Sequence, residues 1–214
     1  MKYPIFLNLK SKRAVVIGGG PVAARKVLGL LDAHARVVVV AEHIDDVLET
    51  RCRNTNTEFV EAKYSKEYLV GATIVFAATN SRKVNEQVYR DCQELEIFCN
   101  TADDPELCDF FVPAVVKRGD LQIAVCTEGD YPAYSGHIRK KLEDIFTEKH
   151  GQFLTELEAV RKHIMEIIPD SAQRKAMLGE LAGDTSFEYF TAHGPAEWQN
   201  NTEEMIKSHT AKTQ

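Results

Sequence analysis

A chain of 214 residues, 44% of them hydrophobic, can bury a substantial core and hold one domain plus something smaller. Its formal charge of −6 offers no footprint for nucleic acid but leaves an anionic small ligand open, because only the local field at a site decides that. The longest apolar runs, Val37 to Val40 and Ile74 to Ala78, fall far short of the roughly 18 to 20 residues of a membrane span, and Met1 to Phe6 leads straight into a patterned region without a secretory signal, so a cytoplasmic protein with no membrane partner is expected.

Arg13 to Ile17 is a short apolar run that ends in three glycines. From Pro21 to Leu31, Val22, Val27, Leu30 and Leu31 recur at helical spacing, which predicts strand, tight turn and helix. The pattern then repeats as strand Arg36 to Val40, helix Ile44 to Arg53, strand Glu58 to Glu61, a short helix at Ser65 to Val70, strand Thr73 to Ala77, helix Arg82 to Leu95 and strand Glu96 to Cys99. Strands alternating with helices imply an α/β fold, a parallel doubly wound (Rossmann) sheet with helices on both faces.

After Asn100 the pattern changes. Phe110 to Val116 and Leu121 to Cys126 are β-rich runs separated by the hairpin-like turn Lys117 to Asp120. Helices are predicted over Pro132 to Lys149, Gln152 to Ile168 and Ser171 to Leu181, with a short one near Phe187, and the polar stretch Asn200 to Gln214 is expected to fray. The expected division is 1–113 as a Rossmann domain, 114–149 as a β-rich dimerisation segment and 150–214 as a helical C-terminal domain with a flexible tail.

Five cysteines make an odd number without any C-x-x-C pair, which points to reduced thiols rather than a disulfide framework or structural zinc. The seven histidines lack H-x-x-x-H or H-E-x-x-H spacing, so no metal site is predicted. Tyr-x-x-x-Lys, the ATP-binding G-x-x-x-x-G-K-[ST] loop and the G-x-S-x-G elbow are also missing.

Gly18-Gly19-Gly20-Pro21-Val22-Ala23 matches G-x-G-x-x-[GA] between a predicted strand and helix. Glycine is needed there because a Cβ would block close approach of a pyrophosphate, which then sits on the helix N-terminus. The hexapeptide alone could be a simple glycine turn, but its place in the first βαβ unit favours dinucleotide binding. Glu42 lies 22 positions beyond Gly20, near the offset at which an acid accepts hydrogen bonds from the adenine ribose. With Asp45 and Asp46 it would repel a 2′-phosphate, which favours NAD over NADP.

Several longer runs are more specific: Tyr3 to Leu9, Val16 to Lys26, Ala77 to Asn80 with Val84-Asn85, Phe98 to Phe110, and Val112 to Val116. Together they resemble the precorrin-2 dehydrogenase (sirohaem synthase N-terminal) family. The resemblance implies NAD-dependent oxidation of precorrin-2 to sirohydrochlorin, in a homodimer whose helical C-terminal domain helps form a tetrapyrrole cleft. It places cofactor contacts on Gly18, Gly20, Pro21, Val22, Glu42, His43 and Thr79, and it lands the acid of an N-x-x-D motif on Asp103 as the proton-handling residue. Without it, Asp103-Asp104-Pro105 reads as an ordinary turn. The chain is expected to end before the methyltransferase of the longer trifunctional sirohaem synthases.

One stretch departs from the family. Where the pattern reads S-[ST]-G-G-[KT]-S-P-x-L-A-R, this chain has Cys126 to Gly136, with Glu128 and Asp130 added and Gly136 in place of the arginine. Thr127 is carried over as substrate-binding, and Arg139 with Lys140 and Lys141 is expected to supply compensating charge. His137 could assist in the cleft but reads more simply as a surface histidine. Two alternatives stay open: added sirohydrochlorin ferrochelatase activity in the same cleft, and a nucleotide-sensing regulatory module with no catalysis.

Overall fold

The computed structural model describes residues 2–55, 57–102, 104–127 and 131–211, with side chains described as far as Ser208. Two compact units divide the chain, Met1–Val112 and Pro113–Gln214.

The first unit runs β1 (Arg13–Ile17), α1 (Pro21–Asp32), β2 (Arg36–Ala41), α2 (Asp46–Asn54), β3 (Glu58–Glu61), a 3-10 turn (Lys66–Leu69), β4 (Ile74–Ala77), α3 (Arg82–Glu94), β5 (Phe98–Thr101) and a second 3-10 turn (Pro105–Leu107). Its five strands are all parallel in the order β3-β2-β1-β4-β5, a Rossmann-like sheet whose order reverses between β1 and β4.

Strand alternation explains why the apolar runs are nearly continuous. Ala14, Val16, Val37, Val39, Ile74 and Phe76 face one core with Ala23, Ala24, Val27 and Leu30 of α1 and Leu48 of α2. Val15, Ile17, Val38, Val40, Val75 and Ala77 face the other, with Leu69 and with Val88 and Cys92 of α3. A strand covered on both faces has no polar side to show.

The α3 face also buries charge. Asp91, almost fully buried, accepts hydrogen bonds from the Tyr64 hydroxyl at 2.6 Å and from Gln87 Nε2 at 2.9 Å. Burial, and then the hydrogen bond to Asp91, push the Tyr64 phenol well above its ordinary range, so it stays a donor.

β5 begins and ends two residues later than the sequence pattern indicates, and so takes in Asn100 and Thr101. Both are buried, because the loop that follows folds back on them: Asn100 Nδ2 donates to the Phe110 carbonyl at 2.9 Å, and the Thr101 N–H reaches Cys108 Sγ at 3.3 Å.

The second unit opens with the antiparallel hairpin β6 (Ala114–Arg118) and β7 (Leu121–Val125), followed by α4 (Pro132–Ile145), α5 (Glu148–Ile167), α6 (Ser171–Leu181), α7 (Asp184–His193) and α8 (Pro195–Ala211). The first β-rich run is strand only from Ala114 onward.

The helix expected over Pro132 to Lys149 stops at Ile145 and a new one starts at Glu148. Arg118 supplies the stop, since its guanidinium donates to the Phe146 carbonyl at 2.7 Å and the Glu143 carbonyl at 3.2 Å, satisfying the free end of α4. Thr147 and His150 then form a reciprocal capping box that begins α5. The short helix near Phe187 spans ten residues.

The stretch expected to fray is helical from Pro195 to Ala211. Trp198, Thr202 and Ile206, spaced one turn apart, form its buried stripe, and Trp198 packs on Phe153 and Phe190 while its indole N–H donates to Ser186 Oγ at 2.9 Å. Residues 212–214 of that stretch lie outside the described residues.

Trp198→Ala should therefore cost about 3 to 5 kcal/mol of stability in the second unit, the range for a buried aromatic truncated to alanine. Urea denaturation followed by circular dichroism checks this, and a loss below about 1 kcal/mol would show that α8 is not part of the core.

Candidate functional site

Because all five strands are parallel, the loops after β1, β2, β4 and β5 emerge at one edge of the sheet. The three glycines after β1 meet three different surroundings there. Gly18, at φ +129°, lies where a Cβ would stand 2.3 Å from the Ala78 carbonyl oxygen, and a Cβ on Gly19 would stand 1.9 Å from the His43 carbonyl oxygen. Neither position can carry a side chain without moving backbone. Gly18 N–H donates to the Val40 carbonyl, and the Gly19 carbonyl accepts from Asp45 N–H, each at 2.9 Å. The turn is thus pinned to the ends of β2 and β4.

Gly20 differs. A Cβ there would meet nothing within 4 Å, and Gly20 is the N-cap of α1, with extended backbone and no side-chain capping bond. Pro21 fills the first helical position, where its missing N–H costs nothing. The first N–H groups of a helix have no intrahelical acceptor, so an uncapped helix start beside open space fits a pyrophosphate. Val22 and Ala23 continue that first turn.

Glu42 follows β2 directly and its side chain is 59% exposed, with Lys63 Nζ at 3.9 Å. His43 is also exposed, but its carbonyl packs on Gly19. Glu42, His43 and Ile44 line one end of an open groove of about 460 Å³ that continues along α2 and β3 to Cys52 and Phe59. Asp45 has a separate task, since its carboxylate caps α2 by accepting from Leu48 N–H at 2.7 Å.

Thr79, in the loop after β4, is held by α3. Asn85 Oδ1 accepts from the Thr79 N–H at 3.1 Å and from its hydroxyl at 2.7 Å. Sequence patterning marked Asn85 only as part of a familial run, and on a polar stretch of helix nothing else in the sequence signals the burial seen in the structure. The same holds for Gly19, which the spacing rule treats as the variable position of G-x-G.

Asp103 lies outside the described residues. Its neighbours Ala102 and Asp104 are placed: Ala102 N–H donates to the Ala77 carbonyl at 2.8 Å, and Asp104 carboxylate meets Arg82 of α3 at 3.4 Å. Cys108 closes this loop from the far side and can donate its thiol to the Thr101 or Asp104 carbonyl, each at 3.3 Å. Burial pushes that thiol up, so it stays protonated.

Thr127 and Arg139 belong to the second unit. Thr127 hydroxyl donates to the Tyr131 carbonyl at 3.1 Å, while residues 128–130 of the divergent stretch lie outside the described residues. Arg139 is paired with Glu143 one helical turn on, which offsets much of the charge expected from it, whereas Lys140 and Lys141 are exposed. His137 is exposed beside Tyr134. Among the described residues no cluster of three or more His, Cys, Asp or Glu could hold a metal, and no helix is long and apolar enough to cross a membrane.

A family model described as putative NAD(P)-binding matches residues 5–114, from the N-terminal arm through β5 to the start of β6. The chain belongs to this putative NAD(P)-binding family. "Siroheme synthase 1" of Aeromonas hydrophila is 35% identical over 172 residues, covering 80% of this chain and 37% of that protein. "Siroheme synthase" of Pseudomonas fluorescens is 36% identical over 178 residues, covering 83% and 38%. The chain thus spans less than half the length of these relatives. A solved structure titled "SirC, precorrin-2 dehydrogenase" is 24% identical and superposes with a TM-score of 0.79 over 95% of this chain and 100% of that one, which establishes the shared fold.

The different surroundings of the glycines predict different outcomes. Gly19→Ala should destabilise the first unit by at least about 2 kcal/mol, because its Cβ would collide with backbone. Gly20→Ala should change stability by less than about 1 kcal/mol yet weaken nucleotide binding at least tenfold, about 1.4 kcal/mol. Thermal melts and NADH titration separate the two, and Gly20→Ala with unchanged affinity would remove the turn from the binding site.

Proposed function

We propose that the chain is a precorrin-2 dehydrogenase, oxidising precorrin-2 to sirohydrochlorin with NAD as acceptor. The observation that carries this reading is the uncapped start of α1 beside Gly20, with Glu42 at the end of β2. Two siroheme synthases covering four-fifths of the chain at 35% and 36% identity support the substrate class.

Bound NAD supplies the hydride acceptor. The protein's part is to hold and orient. Gly18, Gly20, Pro21 and Val22 form the pyrophosphate cradle, Glu42 accepts hydrogen bonds from the adenine ribose, and His43 and Thr79 bound the site on either side. Hydride loss leaves a cationic macrocycle that must shed a proton to complete the new double bond. Asp103, between Ala102 and Asp104, is the carboxylate assigned to take it. Thr127 and Arg139 are assigned to the substrate, with Lys140 and Lys141 adding positive charge for its carboxylates.

A homodimer belongs to the same reading. Val115 and Ala124 stand opposite each other on the exposed face of the hairpin, and the hairpin is a two-stranded sheet with open edges, which pairing would cover. Light scattering that reports a monomer at micromolar concentration would contradict it.

Anaerobic incubation with precorrin-2 and NAD should yield NADH and a product lighter by one hydrogen molecule, and NAD should be preferred over NADP. Nucleotide binding without oxidation would favour a sensing module instead, and equal affinity for NADP would remove the role of Glu42. Asp103→Asn should lower the oxidation rate about 100 to 10,000-fold with NAD affinity nearly unchanged, because asparagine keeps the size but cannot accept the proton. A variant retaining more than half the wild-type rate would return Asp103 to an ordinary turn residue.

A further inference from the structure

Asn85 is 6% exposed on α3, and its amide makes three hydrogen bonds to one residue of the loop after β4. Oδ1 accepts from the Thr79 N–H and from the Thr79 hydroxyl, and Nδ2 donates to the Thr79 carbonyl at 3.0 Å. The Thr79 hydroxyl also accepts from Ser81 N–H at 3.2 Å. One residue back, the Ala78 carbonyl forms the wall that only a glycine at position 18 can approach.

Two consequences follow from these bonds. A hydroxyl has one proton and two lone pairs, and the Thr79 proton already points to Asn85, with the Ser81 carbonyl at 3.2 Å as its other acceptor within the protein. One lone pair is taken by Ser81. What remains for a ligand is a single acceptor position, which suits a ribose hydroxyl and not a phosphate oxygen. The loop itself is fixed in the register that places Ala78 against the glycine turn.

We propose that Asn85 is a positioning residue for the nucleotide: it holds the Ala78–Ser81 loop against the glycine turn and orients Thr79 as an acceptor for a ribose hydroxyl. The proposal rests on the nucleotide-binding reading of the site and is independent of the tetrapyrrole chemistry. A buried amide that served only to cap a loop would affect stability alone, whereas this one also sets the shape and hydrogen-bonding sense of one wall of the site.

The test is NADH affinity of the full chain by titration calorimetry, with melting temperature measured in parallel. Asn85→Ala should raise the Kd about tenfold, the scale of one or two hydrogen bonds of positioning. Asn85→Asp, nearly isosteric, keeps the Oδ1 acceptor but sets an oxygen against the Thr79 carbonyl, so it should also weaken binding. It keeps the test open if Asn85→Ala does not fold.

Thr79→Val removes only the hydroxyl and should weaken binding less, and adding Asn85→Ala to it should cost less than in the wild-type background, because the two share the Asn85–Thr79 hydroxyl bond while the bonds of Asn85 to the Thr79 backbone remain. If the Asn85 variants melt lower but bind NADH as wild type does, or if the effects of the two substitutions simply multiply, the assignment is overturned. A wild-type chain that does not bind NADH would instead overturn the nucleotide reading itself.

Discussion

The close approach of the glycine turn to its neighbours' backbone is the constraint on which the first unit's site depends. Carbonyl oxygens of Ala78 and His43 occupy the volume that side chains at positions 18 and 19 would need. The ends of β1, β2 and β4 are therefore drawn together without intervening side chains. That contact falls where the strand order reverses, the place at which loops on either side diverge and leave a crevice. Gly20 lies one residue beyond the contact, free of both carbonyls, so the same turn that packs tightly on one side stays open on the other.

The two helix layers around the sheet serve this edge differently. The α1 and α2 layer is built from aliphatic contacts, with Ala23, Ala24, Val27 and Leu48 on the strands, and its polar feature is a bare helix start. The α3 layer includes Asn85 and Asp91 among its buried residues, each satisfied by specific partners. Aliphatic packing tolerates small slips, but a buried amide held by three hydrogen bonds does not, because a displaced partner leaves an unsatisfied polar group costing about 1 to 3 kcal/mol. The more exactingly specified layer is the one that fixes the loop after β4.

Much of this was legible in the sequence where the cause is local. Strands β1, β2 and β4 announce themselves through continuous valine and isoleucine runs, and the glycine turn through its place between strand and helix. The shifts arise where the cause lies far along the chain. Asn100 and Thr101 look like loop residues until Phe110 and Cys108 return to satisfy them. The break between α4 and α5 depends on Arg118, which reaches Phe146 from the preceding hairpin. Helix α8 was hidden because its buried stripe is narrow and its remaining positions, Asn200, Asn201, Glu203 and Glu204 among them, have the composition of a frayed tail. The proton-accepting role proposed for Asp103 rests on the familial motif, since the residue itself lies outside the described residues.

Glu42 and Asp45 show how neighbouring carboxylates acquire separate tasks. Asp45 stands at the start of α2, where Leu48 N–H would otherwise lack an acceptor, and that bond at 2.7 Å commits it to the helix. Glu42 stands before the helix and has no backbone donor of this kind; its ion pair with Lys63 is long at 3.9 Å and largely solvated. Exposed pairs of that sort contribute about 0 to 1 kcal/mol, too little to withhold the carboxylate from a ribose diol offering two hydroxyl donors. In the proposed site Lys63 would count against selectivity for NAD, because a cation beside the acid softens the repulsion a 2′-phosphate would meet. The NAD preference proposed above therefore requires Glu42 to outweigh Lys63 at short range, with the carboxylate of Asp45 adding to the same side.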